Sequence, residues 1–359
     1  MNASDHARLL LAILRRRWEL VDELASGTPI DAKTFVDLCV ESDVPTWVHA
    51  RLAEAGRLEL IGEDAAGRLA AIRDRVRRDN LLLIARAEQA LAALVASGVT
   101  PVALKGLDLL HRVYNGFDER TLDDVDLLVP PQQLQASIDA LVAQGWQLPP
   151  EPKLTHYIRT SHHLPIKSPG PVTVDFEIHW NLAQEMRYHI DQQGLVARAV
   201  PLEIGGHRVL RMDDHDIVAH ILLHHFTHYF DRRTKWALDL EAVARDTRFD
   251  WIVVVDRVRG WGATAAVGMS LRHLRKLFPE WIPRSVVEAL PVAGWRSFLS
   301  WPLRSTHPLD LFRDTRRRWV QLYLAALLLE RPSMLPRWLT HRVTRSARSG
   351  SNPLDGPRG

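Results

Sequence analysis

A single cysteine, Cys39, stands among 359 residues, so the chain has no internal disulfide framework and no multi-cysteine zinc site. The default role of such a thiol is burial. Long apolar runs are missing as well. No eighteen consecutive apolar residues occur, and the longest candidate, residues 319–329, is interrupted by Gln321 and too short to span a bilayer. Asp5 and His6 stand where a secretory signal carries basic residues, and no small-residue cleavage site follows. These absences argue against an integral membrane protein, and the expected location is cytoplasmic. Charge of one sign is also scarce: 46 Lys+Arg against 43 Asp+Glu leave a net charge of +3. That balance does not by itself point to nucleic acid. The cations are nearly all arginine, which suits bidentate phosphate contacts but also follows genome composition.

What is present is a globular composition, 46% hydrophobic and 25% charged, long enough for two domains or for one catalytic domain with a large helical partner. Apolar residues at three- and four-residue spacing (Leu9, Leu10, Ile13, Leu14, then Trp18, Val21, Leu24) predict helices from residue 7. Asp31 can cap the next helix, and a long helix is expected over residues 63–96, closed by Gly98. At residue 99 the pattern changes. Strands are expected at 99–104, 125–129, 163–166 and 172–180, with helices at 106–114 and 132–144 between them. Helices return over 214–229, 235–245 and 251–261 and onward to Leu329. The expected organisation is therefore an N-terminal helical lobe (1–96), a small sheet core (97–210), a C-terminal helical lobe (211–330) and a basic, frayed tail (331–359), an α+β protein overall.

The sharpest local feature is Asp124-Val125-Asp126 opening the apolar run Leu127-Leu128-Val129. Strand side chains alternate faces, so Asp124 and Asp126 point the same way while Val125 turns into the core. Two adjacent carboxylates repel unless a cation sits between them, and a divalent metal is the natural remedy. The strand around 174–180 repeats the pattern, with Asp175, Glu177 and His179 on one face and Val174, Phe176, Ile178 and Trp180 on the other. If the two strands are neighbours, three carboxylates meet, a set suited to two Mg²⁺ ions and phosphoryl chemistry. Upstream, Lys105-Gly106 follows a strand and opens a helix, where a glycine admits a phosphate and helix N–H groups and an ammonium neutralise it. Arg120, four residues before Asp124, can contact phosphate or brace the loop.

The run LKGLDLLHRVYNGFDERTLDDVDLLV, followed by a strand ending EIHW, resembles an uncharacterised nucleotidyltransferase family of the DNA polymerase β-like nucleotidyltransferase superfamily. The pattern carrying the resemblance is Leu-Lys-Gly, an Arg, Asp-x-Asp-Leu-Leu-Val, then an acid two residues before His-Trp. The match spans residues 97–182. It implies a nucleotidyltransferase core between helical lobes, with Asp124, Asp126 and Glu177 as the metal-binding carboxylates and Lys105, Gly106 and Arg120 at the nucleotide. The implied cofactors are two Mg²⁺ ions, with an NTP as co-substrate, such as ATP. Leu107 departs from the second small residue of the superfamily's phosphate turn, and Asp123 and Asp175 are extra acids, so the third carboxylate rests on the spacing to His179-Trp180. The implied reaction is in-line displacement at the α-phosphate, with pyrophosphate leaving, onto a protein, peptide, RNA or small-molecule acceptor. A toxin-like tRNA nucleotidyltransferase and an inactive nucleotide-binding or scaffold protein are the alternatives.

Three further features stay open. His220, His224 and His228 recur at four-residue spacing with His215 and His225 nearby, a face that offers imidazoles to zinc or simply packs near the sheet. Asp239, in the helix after Lys235-Trp236, reads as a helix-surface acid or as a residue orienting the cleft. Arg316-Arg317-Arg318 and the arginines of 331–348 are a solvated tail, or a contact for a phosphate backbone or an anionic membrane.

Overall fold

The computed structural model describes residues 1–299 apart from 28, 185–186, 228–233 and 247. His228, the arginines at 316–318 and the whole tail therefore lie outside the described residues. The fold is α+β: a six-stranded mixed sheet flanked by helices on both faces. In chain order the strands are β1 (Val102–Ala103), β2 (Val125–Leu128), β3 (His163–Lys167), β4 (Asp175–His179), β5 (Val200–Ile204) and β6 (His207–Arg211). They lie in the order β3-β4-β2-β1-β6-β5. β2 is antiparallel to β1 and parallel to β4, which puts the acid-bearing strands side by side at the centre of the sheet.

The helix Glu63–Ala96 begins after Gly62 (φ +79°) and ends before Gly98 (φ +76°), a left-handed position that favours glycine as a helix stop. Leu83, Ala87, Leu91 and Leu94 form its apolar stripe and pack with Ala103, Val125, Leu127, Phe176 and Ile178 on one face of the sheet. The alternate residues Val102, Leu104 and Leu128 face the other way, into a second cluster. This cluster also takes Leu9, Ile13 and Phe35 from the N-terminal helices and Phe226, Trp261 and Phe278 from the C-terminal ones. Asp31 caps the helix Ala32–Glu41 by accepting the Thr34 N–H at 2.6 Å. Cys39 is buried within it as a free thiol.

Several elements depart from the sequence reading. The strand expected at 99–104 narrows to two residues, because Leu104 and Lys105 turn into the helix Lys105–Arg112. The strand expected from 172 starts only at Asp175. The helix Lys153–Thr160 and the β5–β6 hairpin were not anticipated. That hairpin turns on Gly205-Gly206, both at positive φ (+56° and +76°), the backbone a two-residue turn requires.

Candidate functional site

The β2–β4 register sets Asp126 directly opposite Glu177 and Leu128 opposite His179. Both strands point these acids and His179 to the sheet face opposite the long helix. A cleft of about 860 Å³ opens there, walled across from the sheet by His220, Leu223 and His224 of the helix Asp214–Thr227. Asp124, Asp126, Glu177, Lys105, Gly106 and Arg120 all line it, as does the extra acid Asp175. Asp175 is exposed at the start of β4, beside Lys167 at 4.0 Å, whereas Glu177 reaches the buried acid on β2.

Asp126 is the hub. The antiparallel β1–β2 pairing continues as Leu104 N–H donates to the Asp126 carbonyl at 3.1 Å. That brings the Lys105 ammonium to 2.9 Å from Asp126 Oδ2. Lys105 adopts φ +42°, a left-handed conformation costly for a side-chain-bearing residue and held in place by this contact and by the helix it starts. The other oxygen, Oδ1, lies 2.8 Å from His179 Nε2, which also approaches Glu177 Oε2 at 3.2 Å. His163, opposite His179 in the β3–β4 register, brings Nε2 to 3.6 Å from Glu177 Oε1.

These contacts divide the proton affinities. The negative charge of Asp126, together with burial, pushes Asp124 up to about 7. Burial also works against Asp126, but the Lys105 charge and the His179 hydrogen bond outweigh it and hold Asp126 well below the usual range. His179 is lifted to about 9, since its bonds to Asp126 and Glu177 overcome burial. Burial lowers His163 to about 4 and His162 to about 2, so both are neutral imidazoles.

Among the described residues the tightest sets of metal-ligating atoms are Asp126–Glu177–His179 and His162–His163–His179, each with ligand atoms within 4.8 Å of one another. Asp124 joins neither, and nor do His220 and His224. Asp124, raised to about 7 first of all by the charge of Asp126, joins Asp126 and Glu177 in offering carboxylate oxygens, which fit a hard divalent cation such as Mg²⁺.

The loop before Asp124 is anchored from three helices. Asn80, buried on the long helix, donates from Nδ2 to the Phe117 and Arg120 carbonyls, both at 2.7 Å, and accepts the Leu122 N–H at 2.9 Å. Thr46 Oγ1 donates to the Glu119 carbonyl at 2.6 Å. Arg120 turns its guanidinium onto Asp239, with Nε and Nη2 at 2.8 and 2.9 Å from the two carboxylate oxygens. Tyr114 donates to the same carboxylate at 2.6 Å. Asp239 is 1% exposed, so the surface-acid reading is wrong: the helix Lys235–Ala244 turns it inward as the counter-ion of Arg120. Of the two roles open to Arg120, this geometry is that of the brace.

Gly106 is required by the same packing. A Cβ there would lie 2.5 Å from both Arg120 Nη1 and Leu122 Cδ1. Gly106→Ala is therefore expected to destabilise the fold by about 1–3 kcal/mol through overpacking, read as a lowered urea midpoint; an unchanged midpoint would show that the arginine yields freely. Leu107 is fully buried among the sheet residues, which accounts for the missing small residue at that position.

A mixed sheet that aligns carboxylates across two parallel strands, opposite a lysine at a strand-to-helix turn, defines a core of the nucleotidyltransferase type. The family described as "Uncharacterised nucleotidyltransferase" matches residues 28–279, and the chain belongs to it. Among solved structures, the chain is similar to an antigenic nucleotidyltransferase-like protein from Paracoccidioides brasiliensis, at 15% identity and a TM-score of 0.35, over 59% of this chain and 95% of that one. No curated protein matches.

Proposed function

We propose that the chain is a Mg²⁺-dependent nucleotidyltransferase that moves a nucleoside monophosphate from an NTP to an acceptor and releases pyrophosphate. The observation carrying this reading is the register that pairs Asp126 with Glu177 beside Asp124. Asp124, Asp126 and Glu177 would hold two Mg²⁺ ions. When bound, these supply positive charge to the triphosphate and lower the pKa of the attacking group. The chain's own residues do the rest. Lys105 and His179 hold Asp126 ionised. Glu177, kept ionised against burial by its bond to His179, stands to take the proton of the acceptor as its nucleophile bonds to the α-phosphorus and the bond to the β-phosphate oxygen breaks. A cleft of about 860 Å³ has room for a nucleotide and part of an acceptor. Among the described residues no helix is long and apolar enough to cross a membrane, and we place the reaction in the cytoplasm, where NTP and Mg²⁺ are at hand.

The test is incubation with each α-labelled NTP, Mg²⁺ and cell extract. Label entering one fraction supports the reading and names the acceptor class. Label in tRNA would select the toxin-like variant. No transfer from any NTP would leave an inactive nucleotide-binding protein.

Titration of the acids gives a second test. Asp124 is raised from 3.8 to about 7 and His179 from 6.5 to about 9. Each favours the folded state in its protonated form, so their contributions fade as pH rises through the folded-state values. Asp124→Asn, which lacks one of these groups, is therefore expected to gain melting temperature relative to wild type as pH rises from 6 to 8 without metal, a comparison in which the histidines that burial lowers, His162, His163, His220 and His273, cancel. A metal must displace the Asp124 proton below about 7, so millimolar Mg²⁺ should raise the melting temperature more at pH 8 than at pH 6. Equal shifts at both pH values would remove Asp124 from the metal site.

A further inference from the structure

Among the described residues, four lysine and arginine side chains, Lys105, Arg120, Arg187 and Lys235, line the cleft. Three are committed to carboxylates: Lys105 to Asp126, Arg120 to Asp239, and Lys235 to both Asp43 and Asp123 at 2.7 Å each. Arg187 differs. Its Nε and Nη2 are shut off from solvent and have no hydrogen-bond partner, and no carboxylate among the described residues lies within 4.0 Å of it. Its own backbone N–H donates to the Gln184 carbonyl at 2.8 Å. The guanidinium carbon sits 5.5 Å from the ring centre of Tyr188, itself buried. Arg187 is half-buried, and two shut-off N–H groups without acceptors are unfavourable unless a ligand completes them; the planar fork of a guanidinium matches two oxygens of a phosphate.

We propose that Arg187 receives the β- and γ-phosphates of the donor nucleotide, taking the role that the Lys105–Gly106 turn, with its ammonium locked on Asp126, leaves open. This rests on the reading of the donor as an NTP. Arg187 lies eight residues past the end of β4 and lines the same cleft as Asp126 and Glu177, so a nucleotide with its α-phosphate at those acids shares the cavity with the guanidinium. The sequence did not single this residue out, because nothing in its neighbourhood repeats a motif.

The experiment measures binding of each NTP and its NMP to the full chain by calorimetry in Mg²⁺, with inorganic tripolyphosphate as competitor. Wild type is expected to prefer triphosphate over monophosphate. Arg187→Ala should weaken NTP binding about tenfold to a hundredfold, the worth of a charged hydrogen-bonding group, leave NMP binding unchanged and lose competition by tripolyphosphate. Arg187→Lys should recover part of the loss, since it restores the charge without the fork. Unchanged NTP affinity in Arg187→Ala overturns the inference, as does an equal loss for NTP and NMP, which would mark a structural or nucleoside role. Failure of wild type to bind any NTP would instead remove the donor reading, and the inference with it.

Discussion

Asp126→Asn is expected to lower nucleotidyl transfer by on the order of a thousandfold or more while the chain stays folded. The amide keeps the size of the side chain and removes the charge that Lys105 and His179 share at 2.9 and 2.8 Å. Loss of that charge would ordinarily strand two buried cations. Here Asp124 is available as a replacement, because what pushes its carboxyl up to about 7 is first of all Asp126 itself. Without that neighbour Asp124 ionises at a lower pH and faces the same lysine. The fold is retained with one carboxylate fewer at the reacting centre. Label transfer and urea unfolding on the same preparation check both halves, and a variant with full transfer would remove the assignment of the site.

Asp239→Ala carries the largest expected stability loss, about 3–5 kcal/mol, because it leaves the buried Arg120 guanidinium without its counter-ion. Tyr114 loses its acceptor in the same step. The loop from Asn115 to Asp124 would lose one of its three anchors, so transfer should fall along with stability. Replacing the pair together, Arg120→Met with Asp239→Leu, is expected to recover most of the stability, since well-packed apolar side chains often replace a buried ion pair without loss. Urea midpoints of the two variants decide it. A cost under about 1 kcal/mol for Asp239→Ala, typical of a surface pair, would mean that the clamp does not hold the loop.

The parts of this molecule legible in its sequence are those written in local periodicity. The helix Glu63–Ala96 was readable to both ends, since its apolar stripe is long and glycines flank it. The alternation in 174–180 and the Asp-x-Asp before an apolar run located β4 and β2, and pairing the two strands brings Asp126 and Glu177 together as the alternation suggested. What could not be read depends on contacts across the chain. His163 reaches Glu177 only because β3 pairs with β4 in one particular register. Asp239 turns inward because a buried arginine 119 residues earlier needs it; the short helix leaves an orienting role open beside a surface one, but its pattern does not name the partner. Asn80 looks like any polar residue in a long helix until the loop it holds is seen. The Gly205-Gly206 hairpin is different: its signal is local, two glycines between β-prone segments.

The second apolar cluster joins the two ends of the described chain. Arg15 pairs with Glu280 at 2.6 and 2.9 Å, Thr234 Oγ1 donates to the Ser42 carbonyl at 2.9 Å, and the one cluster counts Leu9 and Phe35 with Phe226 and Trp236 among its members. During synthesis the first helices leave the ribosome long before the C-terminal residues they bond to exist. Their apolar faces close first on one another and on the helix Glu63–Ala96, while the Arg15–Glu280 and Ser42–Thr234 contacts wait until roughly two hundred further residues have been added. A fragment cut to begin at the sheet would lose the helix Glu63–Ala96 that covers one of its faces, and is expected to aggregate.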